Sequence, residues 1–209
     1  LQGGKGYATE WDALPLTLDR PMTDEDAAEM AAVLKTGVSS RGVASGPMAE
    51  VVFQSLQHLN AADIDAMVAY IRTLEPRAAN TGSAGPPVSS AQRRDLVRVG
   101  GALYVEHCAV CHGDEGEGEA FVYPALAGNR LVTARSPNNA LMTVVLGGFA
   151  PSTAQNPRPY GMPSYAHQLT DEQIAAVLTY LRSAWGNAAP AVSPEAVRRR
   201  WPRRSPSAP

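Results

Sequence analysis

His107-Cys108-Ala109-Val110-Cys111-His112 is the stretch that decides how the remaining residues are understood. It contains both cysteines of the 209-residue chain, three positions apart. Two cysteines are too few for a disulfide framework, and at this separation they do not staple an ordinary loop. Cys-x-x-Cys-His has the spacing of a haem-attachment signature. Two thiols about one helical turn apart can reach the two vinyl groups of one porphyrin, and the next residue can place an imidazole on the iron. A thioredoxin-like dithiol calls for the strand-to-helix setting of a βαβ fold, which the surrounding pattern does not offer. A structural zinc site needs four ligands and would have to recruit His107 and His112, each adjacent to a cysteine. A plain disulfide fits no better. The residues therefore point to one covalent haem c, held by Cys108, Cys111 and His112.

Working outward, a helix is expected from about Ala91 to His107, delivering Tyr104 and the cysteines. Further on, residues 169–184 (LTDEQIAAVLTYLRSA) align without a gap on residues 59–74 (LNAADIDAMVAYIRTL), matching at Leu59/Leu169, Ile64/Ile174, Ala66/Ala176, Tyr70/Tyr180 and Arg72/Arg182. One unit thus occurs twice. Both segments carry apolar residues at helical spacing, and both open on capping signals, Thr170 with Gln173 and Asn60 with Asp63. Upstream, AAVLKTG (31–37) parallels TVVLGG (143–148), and each leads into a Gly/Pro-containing loop ending in a methionine, Met48 or Met162.

Met162 is the expected distal ligand, because it lies in a polar Gly/Pro loop before the final helix and Met48 holds the same place in the first unit. A lone methionine is ordinarily core filler. His/Met ligation raises a reduction potential and leaves no open coordination position, which suits electron transfer better than substrate chemistry. His107 and His167 are rival axial ligands, but they and His58 read more simply as surface residues. Met67 and Met142 read as core, and Met22 and Met30 carry no distinctive signal. His112 precedes Gly148 by 36 residues, and the same offset from Gly37 falls on residue 1. The attachment motif of the first unit is accordingly expected at or before the start of this sequence. Met48 would be a ligand, and a second haem present, only where that motif is supplied.

Composition agrees with short helices and long irregular loops around a buried group: 18 Gly, 17 Pro and 6% aromatic residues. A net charge of −2 and a pI near 6.1 give no pull toward nucleic acid, and no apolar stretch approaches bilayer-spanning length. The chain divides into a partial unit (1–79), a Gly/Pro/Ser-rich linker (80–90), a complete unit (91–187) and a basic, Pro-rich flexible tail (188–209). The tail's Arg198-Arg199-Arg200-Trp201 run suits either a solvated terminus or peripheral contact with anionic lipid.

The second unit resembles a class I cytochrome c domain, an all-α fold around covalent haem. Gly100 and Tyr104 precede the first cysteine by eight and four residues, where that family packs its first helix on its last. The resemblance makes Val177 and Tyr180 their partners, and makes Pro124 the proline whose carbonyl accepts the proximal imidazole N–H. A narrower likeness covers nearly the whole chain, through 34–52, the QHLNAADIDAMVAYIRTL segment and 161–187. These are similar to the second and third haem domains of the three-haem cytochrome c subunit of bacterial membrane-associated alcohol, gluconate, sorbitol, fructose and aldehyde dehydrogenases. Leu1-Gln2-Gly3-Gly4 and Trp11 match the part of the second domain after its attachment motif, whereas 5–33 match loosely.

The resemblance implies a carrier, not an enzyme. Its partner would be a dehydrogenase catalytic subunit of flavin, pyrroloquinoline quinone or molybdopterin type, and its acceptor ubiquinone or a terminal oxidase of the respiratory chain. Its place would be the periplasm, peripheral on the outer face of the inner membrane. Two other classes stay open at this stage: a diheme peroxidase-type enzyme with a displaceable sixth ligand, and a docking module with a single haem.

Overall fold

Helices start where a side-chain oxygen can take the unpaired N–H groups of a first turn. In the computed structural model, which describes residues 3–5, 11–76 and 83–201, Thr23 does this for α1 (Asp24–Thr36) in a capping box with Asp26. α2 (Pro47–Gln54) instead begins with proline in its first turn. Asn60 caps α3 (Ala61–Arg72) and Ser89 caps α4 (Ser90–His107). Three short helices follow: α5 (Ala109–His112), α6 (Arg130–Thr133) and α7 (Asn138–Leu146). Thr170 opens α8 (Asp171–Leu181) in a second capping box with Gln173, and Ser193 caps α9 (Pro194–Arg200). The described strands are two-residue pairs, β1 (Gly4–Lys5) with β2 (Asp12–Ala13) and β3 (Gly148–Phe149) with β4 (Gly161–Met162), both antiparallel.

Two apolar clusters form. The smaller joins Leu34 of α1, Val52 of α2 and Ile64 and Val68 of α3, with Ala44 and Leu56. The larger surrounds the crossing of α4 and α8, where Leu103 and Tyr104 meet Ile174, Val177 and Leu178. At Gly100 an added Cβ would overlap the Ala176 carbonyl, so these helices touch backbone to backbone. Tyr104 packs its ring 5.5 Å from Tyr180 and 4.9 Å, edge-on, from Trp185.

Residues 189–201 do not form the flexible tail expected from their composition. Val192 and Val197 are fully buried in the larger cluster. Thr179 Oγ1 donates to the Val192 carbonyl (3.2 Å) and accepts from its N–H (3.0 Å). The basic run is also partly neutralised: Arg198 pairs with Glu172, Arg199 with Glu195, and Arg200 bonds Asn138. Two valines, one before α9 and one on it, outweighed the polar composition around them. Residues 202–209 lie outside the described region, as do 80–82 of the expected linker. The linker's second half is tied down, with Val88 on the larger cluster and Gly85 against Ala196.

Arg182 is wholly buried, and its guanidinium donates to three carbonyls: Nε to Pro190 (2.8 Å), Nη1 to Val132 (2.6 Å) and Nη2 to Arg135 (3.2 Å). Burial lowers its pKa to about 10. It fastens the end of α8 to α6, to the segment just after it and to the approach to α9. Arg182→Met should leave these carbonyls without donors and lower the unfolding free energy by roughly 3 kcal/mol. Guanidinium denaturation of the haem-loaded protein measures this, and a loss under ~1 kcal/mol would mean the three bonds are dispensable.

Candidate haem site

α4 ends where its last turn passes into the cysteine motif. The Cys108 N–H donates to Tyr104 O at 2.8 Å, and the His112 N–H donates to Cys108 O at 3.0 Å, making α5 a single turn that carries Cys108, Cys111 and His112 together. Both thiols are free and half-buried. Burial, and secondarily the neighbouring Cys111, pushes the Cys108 thiol up to about 11. A thioether at this position has no proton to lose, so covalent attachment removes the cost of ever charging this buried sulfur.

His112 Nδ1 lies 2.9 Å from the Pro124 carbonyl, the contact expected from the sequence. A carbonyl only accepts, so Nδ1 carries the proton and Nε2 keeps its lone pair free. Burial moves the His112 pKa below its ordinary value, opposed by this hydrogen bond. The loop between the two residues is held by Gly118 N–H to His112 O (2.8 Å) and by reciprocal 2.8 Å bonds between Glu119 and Tyr123.

Met162 is on β4, paired with Gly148, and its half-buried side chain packs on the larger cluster. Its segment is stitched to two places. On α7, the Val144 carbonyl accepts from the Tyr165 N–H (3.1 Å) and the Val145 carbonyl from Ser164 Oγ (2.6 Å). At the cysteine motif, Tyr165 Oη donates to the His107 carbonyl (2.7 Å). On the other flank, the Tyr160 ring sits 5.4 Å from that of Tyr123. The methionine is thus bracketed by Tyr165, which bonds the attachment motif, and Tyr160, which packs on Tyr123. The sequence reading assigned no role to Tyr123, Tyr160 or Tyr165. The available signal was the pair of tyrosines two before and three after Met162.

Met48 is placed differently from its sequence equivalent. Gly46-Pro47 starts a helix rather than extending a loop, so Met48 lies in the first turn of α2 with its side chain against the smaller cluster. Met22, Met30 and Met67 pack on that cluster too, and Met142 is buried. His58 and His167 are exposed, while His107 is half-buried with its ring 5.9 Å from Tyr165.

The donors present are two thiols on one turn, an imidazole with Nε2 free, and a thioether on a pinned hairpin. They fit a covalently held porphyrin iron. They do not fit zinc: among the described residues no group of three or more His, Cys, Asp or Glu side chains is arranged to hold a metal ion. The family model for cytochrome c matches residues 80–185. This chain belongs to the cytochrome c family.

As a cytochrome c it binds covalent haem c, and its chemistry is haem-based electron transfer. It is 34% identical over 161 residues to the cytochrome c subunit of the quinone alcohol dehydrogenase of Gluconacetobacter polyoxogenes, covering 75% of this chain and 34% of that one. Over 186 residues it is 37% identical to the fructose dehydrogenase cytochrome subunit of Gluconobacter japonicus, covering 79% and 38%. To cytochrome c-552 of Thermus thermophilus it is 34% identical over 96 residues, covering 44% and 65%. The chain spans about a third of the length of the two dehydrogenase subunits.

Tyr165→Phe should remove the donor to His107 O and lower the unfolding free energy of the haem-loaded protein by about 1–2 kcal/mol. His167→Ala, two residues on and exposed, should change it by less than ~0.5 kcal/mol. Equal stabilities for Tyr165→Phe and the parent in a guanidinium titration would show that this link does not hold the methionine segment.

Proposed function

We propose that this chain is the electron-carrying part of a dehydrogenase cytochrome subunit. In this reading it takes electrons from a catalytic subunit of flavin, pyrroloquinoline quinone or molybdopterin type and gives them to ubiquinone or another respiratory acceptor. One observation carries the reading. The two dehydrogenase cytochrome subunits align over three quarters or more of the chain, across both units, whereas cytochrome c-552 aligns over less than half. What is shared with the dehydrogenase subunits therefore includes the first unit.

Cys108 and Cys111 would hold haem c by thioether bonds, His112 and Met162 would bind its iron, and Pro124 would fix the His112 tautomer. When bound, the group supplies a one-electron couple. The chain's own residues do the rest. Pro124 keeps the proton on Nδ1 and raises the basicity of Nε2. The pinned Met162 leaves no position for a substrate, and Tyr104 and Tyr165 lock α4 and the methionine segment in register. Met48 is a ligand only where a first-unit attachment motif is supplied. The covalent haem, whose attachment accompanies oxidising compartments, supports a periplasmic site, peripheral to the inner membrane. No helix among the described residues is long and apolar enough to cross a membrane.

Protein matured by a periplasmic c-type system should stain for one covalent haem per chain, and Cys108→Ser with Cys111→Ser should abolish it. Met162→Ala should lose the sulfur-to-iron charge-transfer band of the ferric form. Stopped-flow mixing of the ferric protein with alcohol, fructose and gluconate dehydrogenase catalytic subunits, each with its substrate, should reduce the haem with at least one. A short-chain ubiquinone should then reoxidise it. Reduction by none of the three would overturn the dehydrogenase assignment, and absence of covalent haem would overturn the site.

A further inference from the structure

α1 stops because Gly37 takes a left-handed conformation, φ +82°. A helix end leaves carbonyls without intrahelical partners. Here the second unit supplies them. The Thr36 carbonyl accepts from Thr153 Oγ1 at 2.9 Å, and the Ser39 carbonyl accepts from the Phe121 N–H at 3.2 Å. Between them Gly37 lies so close to Pro151 that a Cβ would overlap its ring. Ser39 and Thr153 are each only 4% exposed, so one partner of each bond is shielded from water.

The two receiving segments are the ones that matter to the haem site. Pro151 and Thr153 belong to the loop joining β3 to β4, which leads into Met162 and is braced by 3.1 Å backbone bonds exchanged between Thr153 and Asn156. Phe121, with φ +65°, is at the tip of the Glu119–Tyr123 turn, and that turn immediately precedes Pro124, whose carbonyl holds His112. One four-residue turn of the first unit therefore touches both the proximal-side loop and the distal-side loop.

We propose that the turn Thr36–Ser39 is a positioning clasp for the haem site of the second unit, tying the loop that supports His112 to the loop that leads into Met162. The proposal rests on Met162 being the distal ligand. The clasp opposes withdrawal of the thioether from the iron, and it does so without any haem in the first unit. The first unit is then a structural determinant of the second unit's ligation as well as a neighbour in the chain.

The test uses the haem-loaded full chain in the ferric state. Imidazole competes with a methionine ligand for the iron, so its affinity reports how easily the Met162 loop opens. Thr153→Val removes the donor to the Thr36 carbonyl at constant shape, together with the Oγ1 that accepts from the Asn156 N–H at 3.2 Å, while Gly37→Ala pushes Pro151 away and leaves that bond in place. Ser136→Ala is the control, because it breaks a hydrogen bond of the same inter-unit contact, to Asp12 at 2.7 Å, away from both loops. The clasp predicts about tenfold tighter imidazole binding for Thr153→Val and for Gly37→Ala, the equivalent of one buried hydrogen bond, with Ser136→Ala close to the parent. Should Gly37→Ala fold poorly by circular dichroism, Thr153→Val decides alone. Parent-like affinity in Thr153→Val with the sulfur-to-iron band intact overturns the clasp alone. Equal tightening in Ser136→Ala also overturns it, since any loosening between the units would then suffice. A Met162→Ala protein with the parent's spectrum overturns the ligand assignment and the clasp with it.

Discussion

Where Gly100 lets α4 ride on the Ala176 carbonyl, two helices from opposite ends of the larger unit meet at backbone distance. Close crossings of this kind leave little freedom in either axis, because any rotation drives a side chain into the partner's main chain. α4 runs directly into Cys108, and the residues before α8 carry Met162 and Tyr165. The attachment motif and its methionine therefore hang from the two members of one rigid pair. Tyr104, Tyr180 and Trp185 fill the space that the small residues open on either side. The haem site inherits its geometry from that crossing more than from its own loops.

Among the described residues, half of the buried polar ones gather where the N-terminal region meets the larger unit. Thr17, Ser39, Ser136, Asn138, Asn139 and Thr153 are all nearly inaccessible, and hydrogen bonds between the N-terminal region and the larger unit involve Thr17, Ser39, Ser136, Asn139 and Thr153. Asn139 exchanges two bonds with the Asp12 backbone (2.8 and 2.7 Å), Ser136 reaches the Asp12 carboxylate, and Thr153 and Ser39 meet Thr36 and Phe121. Arg130 adds bonds to the carbonyls of Pro15 and Thr17. Apolar contact tolerates sliding, whereas paired buried donors and acceptors penalise any other registration. The two units are joined in the manner that specifies orientation.

Much of this was legible in the sequence because it is local. The cysteine motif, the helix from Ala91 to His107, the caps at Asn60 and Thr170, and the Pro124 contact depend on spacing along the chain or on a resemblance carried by a few residues. Other features were not legible because they depend on what lies opposite. Tyr70 and Tyr180 occupy equivalent places in the repeat, yet Tyr180 stacks on Tyr104 while Tyr70 is 61% exposed. Arg182 is buried among carbonyls, whereas its counterpart Arg72 forms a surface ion pair with Asp24 at 2.9 Å. Among the described residues nothing crosses α3 as α4 crosses α8. The burial of Val192 and Val197 was hidden for the same reason: two apolar residues among prolines and arginines signal packing only once a groove is there to receive them.

The Thr36 carbonyl closes a helix in one unit by accepting a proton donor from the other. In a lineage that arose by duplication, such lending has a historical consequence. Once a copy supplies hydrogen bonds that its twin no longer makes for itself, neither can be discarded or swapped independently, whatever has become of its original cofactor site. Selection then preserves the pair as a single heritable module, and drift in the first copy is limited by the needs of the second.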